Sequence, residues 1–245
     1  MKRFLVFKKS NRDIGFLART KGEGPEATLL DDFVDKYAST LRRERKSYAL
    51  FYEPLLPTGY PDLVVVKYNP RVYEKWTLNR ITLGVLDLKV LHHLHFVGFA
   101  TSSMIEKQLG LNSKVLLRSL EQLLDAKLVK REKESWVPKS LRSTYGISNI
   151  RAIEAKMSNW ATVLRQANLN QWFATESYVL LPAVNRKNDA IVKARESGIG
   201  VFSLSSELNV QTIQKPLIRA RSPVSYASWL FNEWVGRRLF LERGA

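Results

Sequence analysis

"IRAIEAKMSNW", residues 150–160, decides the fold. Ile150, Ala152, Ile153 and Ala155 read as a buried strand, yet Glu154 and Lys156 sit within it, two residues apart. Side chains alternate across a strand, so these two charges share one face while Ala155 takes the other. Their Cα atoms lie roughly 7 Å apart, twice the strand rise. Burying either charge alone is costly. The pair therefore requires mutual pairing, a metal or a substrate.

Working outward, "GYPDLVVVKYN" (59–69) is a second strand with Asp62 at the head of its apolar run. Paired as a hairpin, the two strands bring Asp62 near Glu154. Two carboxylates and a carbonyl oxygen at one strand end make a hard-oxygen site suited to Mg2+. Lys156 then orients a water or offsets charge on a phosphate. Downstream, 159–174 reads as a helix capped by Asn159 or Ser158. It is followed by the strand "SYVLLP" (177–182), a helix over 186–198 that ends at Gly198, and the strand "IGVFSLS" (199–205).

Upstream, "RFLVFKK" (3–9) and "IGFLART" (14–20) suggest a hairpin around "SNRD". A helix starts near Glu26, with Leu29, Leu30, Phe33, Val34, Tyr37 and Leu41 at three- and four-residue spacing. "SYALFYEPLLP" (47–57) is a further strand. Setting aside 69–145, residues 1–68 and 146–206 give an α/β order with a mixed sheet flanked by helices, a single discontinuous core.

Composition narrows the partner. Lys and Arg number 39 against 23 Asp and Glu in 245 residues, a net +16. Such an excess favours a polyanion, nucleic acid first and an anionic membrane surface second. No apolar run approaches the ~18 residues of a membrane span. The basic start lacks the long apolar run and cleavage site of a signal peptide. A cytoplasmic protein with no membrane partner is expected. The chain has no cysteine, which excludes disulfides, thiolate metal sites and a cysteine nucleophile. No Ser-His-Asp arrangement or phosphate-cradling glycine loop competes.

Residues 69–145 have their own logic. A helix over 86–97 precedes "SSMIEKQLG" (102–110), "SKVLLRSLEQLLDAKLV" (113–129) and the basic strand pair "LVKREKESWVPKS" (128–140). This segment resembles a winged helix-turn-helix. The resemblance implies that the third helix enters the major groove, its first residues Asn112, Ser113, Lys114 and Arg118 facing the bases. Lys130, Arg131 and Lys133 on the wing then meet phosphates. His92, His93 and His95 fall on the first of these helices, but without a metal-binding spacing; a solvated or packed helix face is expected. In 207–245 a linker leads to "VSYASWLFNEWVGRRLFLERGA", expected as an amphipathic helix. It docks on its own core, or joins a homodimer or larger complex.

The core segment, from about Glu26 to Ser205, resembles the PD-(D/E)xK nuclease superfamily. Asp62, Glu154 and Lys156 match its motif residue by residue, and the order of elements agrees with its restriction-endonuclease-like fold. The 70-residue insertion departs from the simple pattern. The resemblance implies Mg2+, or Mn2+ in its place, held by Asp62 and Glu154. It adds an acid on the first helix, Glu26 with Asp31 or Asp32 as substitutes, and Glu53 of "FYEP". It also implies a glutamine on the helix after the lysine strand, Gln166, with Arg165 beside it for phosphate. The implied activity is a DNA endonuclease leaving a 5′-phosphate. Restriction or antiphage defence is the first role, and a resolvase or repair nuclease the next. The competing classes are a non-catalytic winged-helix DNA-binding regulator on a decayed nuclease core, and an RNase.

Overall fold

Ser47–Tyr52 and Leu63–Tyr68 are buried along nearly their whole length, as befits strands covered on both faces. A computed structural model places them inside a seven-stranded sheet. The structure describes residues 3–20, 22–183, 189–218 and 222–243. In chain order the first elements are β1 (Phe4–Phe7), α1 (Pro25–Arg43), β2 (Ser47–Tyr52) and β3 (Leu63–Tyr68). Then follow α2 (Leu78–Ile81), α3 (Val85–Val97), β4 (Ala100–Thr101), α4 (Ser102–Leu109), α5 (Ser113–Asp125), β5 (Val129–Glu132), β6 (Ser135–Pro138) and α6 (Leu141–Thr144). The last are β7 (Ile147–Ala155), α7 (Trp160–Asn170), β8 (Glu176–Pro182), α8 (Asp189–Glu196), β9 (Gly200–Leu204), β10 (Val210–Gln214) and α9 (Tyr226–Leu241).

The chain forms two compact units. One runs up to Tyr68 and resumes over 147–224; the other takes 69–146 and the chain from Ser225 on. The first unit is α/β, with strand order β1-β2-β3-β7-β8-β9-β10. The central hairpin partners β2/β3 and β3/β7 run antiparallel. The β7/β8 and β8/β9 pairs are parallel, and α7 and α8 supply the crossovers that parallel neighbours require. On one face α1 packs Leu30, Phe33 and Leu41 against Leu50, Val65, Ile153 and Leu180. On the other, Val163 and Ala167 of α7 and Ala194 of α8 meet Val179, Leu181 and Val201. Helix α1 is sited by Pro25 at its start and by Arg42 and Arg43 in its last turn, which suits the helix dipole.

Two expectations are corrected. The N-terminal hairpin is reduced to one antiparallel bridge, Asn11 with Phe16, and β1 pairs parallel with β2. Asn11 turns the chain instead, its side chain accepting from the Asp13 amide, with Gly15 in the left-handed region. The segment after it lies along 53–55, through the Ala18–Pro54 bridge. Residues after 206 do not make a linker plus amphipathic helix. Val210–Gln214 is the edge strand β10, antiparallel to β9, and α9 belongs to the second unit. Of the helix expected over 186–198, residues 186–188 lie outside the described residues, and so do 219–221 and 244–245 of the C-terminal stretch.

In the second unit, α2 to α6 and the three-stranded sheet β4-β6-β5 enclose Leu88, Leu91, Leu94, Ile105, Leu116, Leu120 and Leu123. Helix α9 carries no apolar stripe, because ten of its sixteen residues are buried and they lie all around it. Two of its buried polar members, Glu233 and Asn232, find partners within the unit. Glu233 accepts two bonds from the buried Arg80 guanidinium, at 2.9 and 2.6 Å. Asn232 accepts from the Gly146 amide (2.8 Å) and the Tyr73 hydroxyl (3.1 Å). Gly236 lies against the Trp76 indole, where a Cβ would overlap the ring. Alanine there gains ~1 kcal/mol of helix propensity but overpacks a buried ring at about 1–3 kcal/mol. Gly236→Ala is therefore expected to destabilise the protein by up to roughly 2 kcal/mol, read as a lowered denaturant midpoint. Among the described residues no helix is long and apolar enough to cross a membrane.

Candidate active site

The register of β3 with β7, Leu63 opposite Ile153, brings Asp62 opposite Glu154. The backbone confirms the approach: the Ala155 amide donates to Asp62 Oδ2 at 2.8 Å. Glu154 is 3% exposed, and its Oε1 accepts from Asn170 Nδ2 at 2.7 Å. Each carboxylate is thus oriented through one oxygen, and the other has no hydrogen-bond partner among the described residues. Asn170 is a neighbour of Glu154 that the strand pattern could not reveal. Its signal lay on α7, four residues beyond Gln166 and so on the same helical face.

Burial raises the Asp62 carboxyl above its usual range, and the charge of Glu53 adds to this against the Ala155 amide. Burial also raises Glu154, with Asp62 as the next cause. Two neighbouring carboxylates that resist joint ionisation suit a cation between them. The remaining donors are hard oxygens. Mg2+ is ordinarily held by one or two carboxylates, with water and phosphate oxygens making up the rest. The pair fits that ion.

Strand β7 ends at Ala155, and the Lys156 ammonium reaches Glu26 Oε2 on α1 at 2.6 Å. The hydrogen bond from Lys156 to Glu26 holds the ammonium's pKa above the ordinary lysine value, so the group stays charged. Glu53 is likewise engaged elsewhere. Its Oε2 accepts from Arg19 Nε at 2.7 Å, and Arg19 Nη2 pairs with the same oxygen. Glu26 and Glu53 are therefore ion-paired rather than joined to Asp62 and Glu154 in a four-carboxylate set. Among the described residues no three His, Asp or Glu side chains gather closely enough to hold a metal ion on their own. Asp62, Glu53, Glu26, Lys156 and Gln166 all line one cleft of about 420 Å³, with Arg19 at its side. Gln166 Oε1 is buried there without a hydrogen-bond partner among the described residues. Arg165 lines a separate groove between α7 and α8.

On the second unit, Ser113, Lys114 and Arg118 are exposed on α5. Asn112 is its cap, accepting from the Val115 amide at 2.9 Å. Lys130 pairs with Glu132, and Arg131 donates to the Lys133 carbonyl at 3.2 Å while resting over Trp136. Lys133 is exposed at the turn between β5 and β6. Of the histidines, His93 bonds Gln108 (2.7 Å) and His95 stacks on Trp229, while His92 Nδ1 and His95 Nε2 are buried without a hydrogen-bond partner among the described residues.

The raised carboxyl pKa values carry a stability consequence. A carboxyl whose folded pKa exceeds its unfolded value of ~4 contributes fully below that value and loses its contribution as pH rises through the folded pKa. The melting temperature without metal is expected to fall for this reason from acid to mildly alkaline pH. Mg2+ should raise it at the alkaline end and leave it unchanged in acid; melting curves with Mg2+ or EDTA across pH check both. No protein-family model matches the chain, and no curated protein or solved structure is found to be similar to it.

Proposed function

We propose that the chain is a Mg2+-dependent DNA endonuclease, with the second unit as its DNA reader. The carrying observation is the cleft: Asp62 lines it together with Lys156 and Gln166, whose buried Oε1 has no partner among the described residues, and the buried Glu154 lies opposite Asp62 on the adjacent strand, behind the lining. Asp62 and Glu154 are the residues to hold Mg2+, which supplies a Lewis acid for a phosphate oxygen and a lowered pKa for water. Lys156 offsets the negative charge that builds on the phosphate. Gln166 Oε1, an acceptor buried without a donor among the described residues, orients a water for in-line attack. Asn170 and the Ala155 amide keep the two carboxylates in place.

Support for DNA comes from the +16 charge and from the second unit. There α4, a short turn and α5 are followed by the β5–β6 strand pair, the arrangement of a winged helix. Ser113, Lys114 and Arg118 stand exposed where such a helix meets the major groove. A second reading has its own observation. The Lys156–Glu26 and Arg19–Glu53 pairs are also what a nuclease-like core without chemistry would keep, as a DNA-binding regulator.

Incubating the purified protein with supercoiled plasmid separates the two. Nicking or linearisation in Mg2+ or Mn2+, absent in EDTA, is expected. Tight DNA binding with no cleavage of duplex, branched or single-stranded DNA in either metal overturns the nuclease in favour of the regulator. Metal-dependent cleavage confined to RNA moves the substrate and keeps the chemistry.

A further inference from the structure

We infer that Arg19 is the phosphate-binding residue of the cleft, with Glu53 and Tyr60 as its positioning residues. This rests on the cleft being a nucleic-acid site. The cleft presents a problem to any polyanion. Its described lining carries the carboxylates of Glu23, Glu26, Glu53 and Asp62 against two cations, Arg19 and Lys156. The Lys156 ammonium is bound by Glu26. Arg19 is the cation that keeps a whole planar donor edge open.

That open edge follows from guanidinium geometry. Arginine has five N–H donors in a planar fork with two usable edges. Glu53 Oε2 takes the side edge, Nε and Nη2. The end edge, Nη1 with the second Nη2 hydrogen, has no partner among the described residues, and the side chain is 53% exposed. Two parallel N–H groups on one edge match two phosphate oxygens.

The guanidinium is also held in place. The Arg19 amide donates to the Glu53 carbonyl at 3.0 Å, and the Leu55 amide to the Leu17 carbonyl at 2.9 Å. These bonds fix the backbone of 17–19 to 53–55. The guanidinium lies 5.3 Å from the Tyr60 ring centre, close enough for a cation–π contact. Glu53 adopts φ 46°, a conformation uncommon outside glycine that tends to persist at functional sites. Its amide donates to the Asp62 carbonyl at 3.2 Å. The residue that aims Arg19 is thus bonded directly to the backbone of the proposed Mg2+-holding aspartate.

The test uses the full chain and a short labelled single-stranded oligonucleotide, with Ca2+ replacing Mg2+ so that binding is read without cleavage. Arg19→Gln is expected to weaken binding about tenfold, the worth of a charge-assisted hydrogen-bonded contact. It should also reduce the slope of log affinity on log salt by about 0.7, the share of one phosphate on a single strand. Arg19→Lys should keep the salt slope but lose affinity, because lysine has no fork. Tyr60→Leu should weaken binding without changing the slope. In cleavage assays Arg19→Gln should raise KM with kcat held. If Arg19→Gln leaves Glu53 unpaired and the protein unfolds, Arg19→Gln with Glu53→Gln removes both charges and is read the same way. Affinity and salt slope equal to the parent in a folded variant overturn the assignment. A parent that cuts DNA while Arg19→Gln keeps KM and slope sinks Arg19 alone. A parent that cuts nothing, yet shows an Arg19-dependent salt slope, sinks the nuclease and leaves the phosphate site standing.

Discussion

Glu154→Gln is expected to lose DNA cleavage by at least about a thousandfold, since an Mg2+-holding group supports several kcal/mol of transition-state charge stabilisation. The same substitution is expected to make the metal-free protein more stable at mildly alkaline pH. The two effects have one cause. Glutamine keeps the Oε1 acceptor that Asn170 Nδ2 binds at 2.7 Å, and it nearly matches glutamate in volume, so packing is undisturbed. What it removes is a charge on a group 3% exposed, whose pKa burial and Asp62 drive upward. A tenfold change in proton affinity is worth ~1.4 kcal/mol, so the gain is of that order above the ordinary carboxylate range and vanishes in acid. Taking the parent–variant difference cancels the repulsion among the other charges of a chain at +16. A variant that melts earlier than the parent at every pH would mean that Glu154 is a satisfied structural acid. In that case the response of the parent's melting temperature to Mg2+ would also have another origin.

What the sequence reveals here is local. An apolar run headed by Asp62, the alternation around Glu154 and the spacing on α1 each lie within one element, and each element stands where that pattern places it. What it conceals is set by neighbours distant in the chain. Val210–Gln214 is half-exposed at the sheet edge, so it lacks the apolar alternation that marks a strand. Phe4–Phe7 reads as one arm of a hairpin because two short apolar stretches flank a turn. Its partner is β2 instead, across the whole of α1.

The aromatic residues of α9 suggest a stripe because a run of Trp, Leu and Phe is apolar. Asn232, Glu233 and Gly236 are buried among them, however, for reasons visible only beside Tyr73, Arg80 and Trp76. The site divides in the same way. Asp62 and Glu154 are legible because adjacent antiparallel strands have a simple register. The engagements of Lys156 with Glu26 and of Glu53 with Arg19 are not, because each joins residues at least 34 positions apart.

Lys156→Met separates chemistry from packing, and its expected result is a loss of about a hundredfold or more in cleavage rate with little change in stability. The stability half follows from exposure. The Lys156 and Glu26 side chains are 26% and 43% exposed, and a partly solvated pair of this kind contributes about 0–1 kcal/mol. Methionine retains most of the lysine stem's apolar contact, and Glu26 keeps water as its partner. The rate half follows from charge. Glu26 holds the ammonium protonated in the cleft that Asp62 lines, so a phosphate entering there meets a fixed positive group that needs no reorganisation. Removing one such preorganised contact typically costs ~10²–10³ in rate. Binding of DNA in Ca2+ should weaken less than in Arg19→Gln, because Arg19 presents a whole planar donor edge to the ground-state phosphate whereas Lys156 shares its charge with Glu26. Glu26→Gln is the companion measurement. It frees the ammonium and lowers its pKa, so the alkaline limb of the cleavage pH profile should move toward neutral, whereas a purely structural Glu26 would change the melting temperature alone. Near-normal cleavage by Lys156→Met would reduce the lysine of "IEAK" to the surface partner of Glu26.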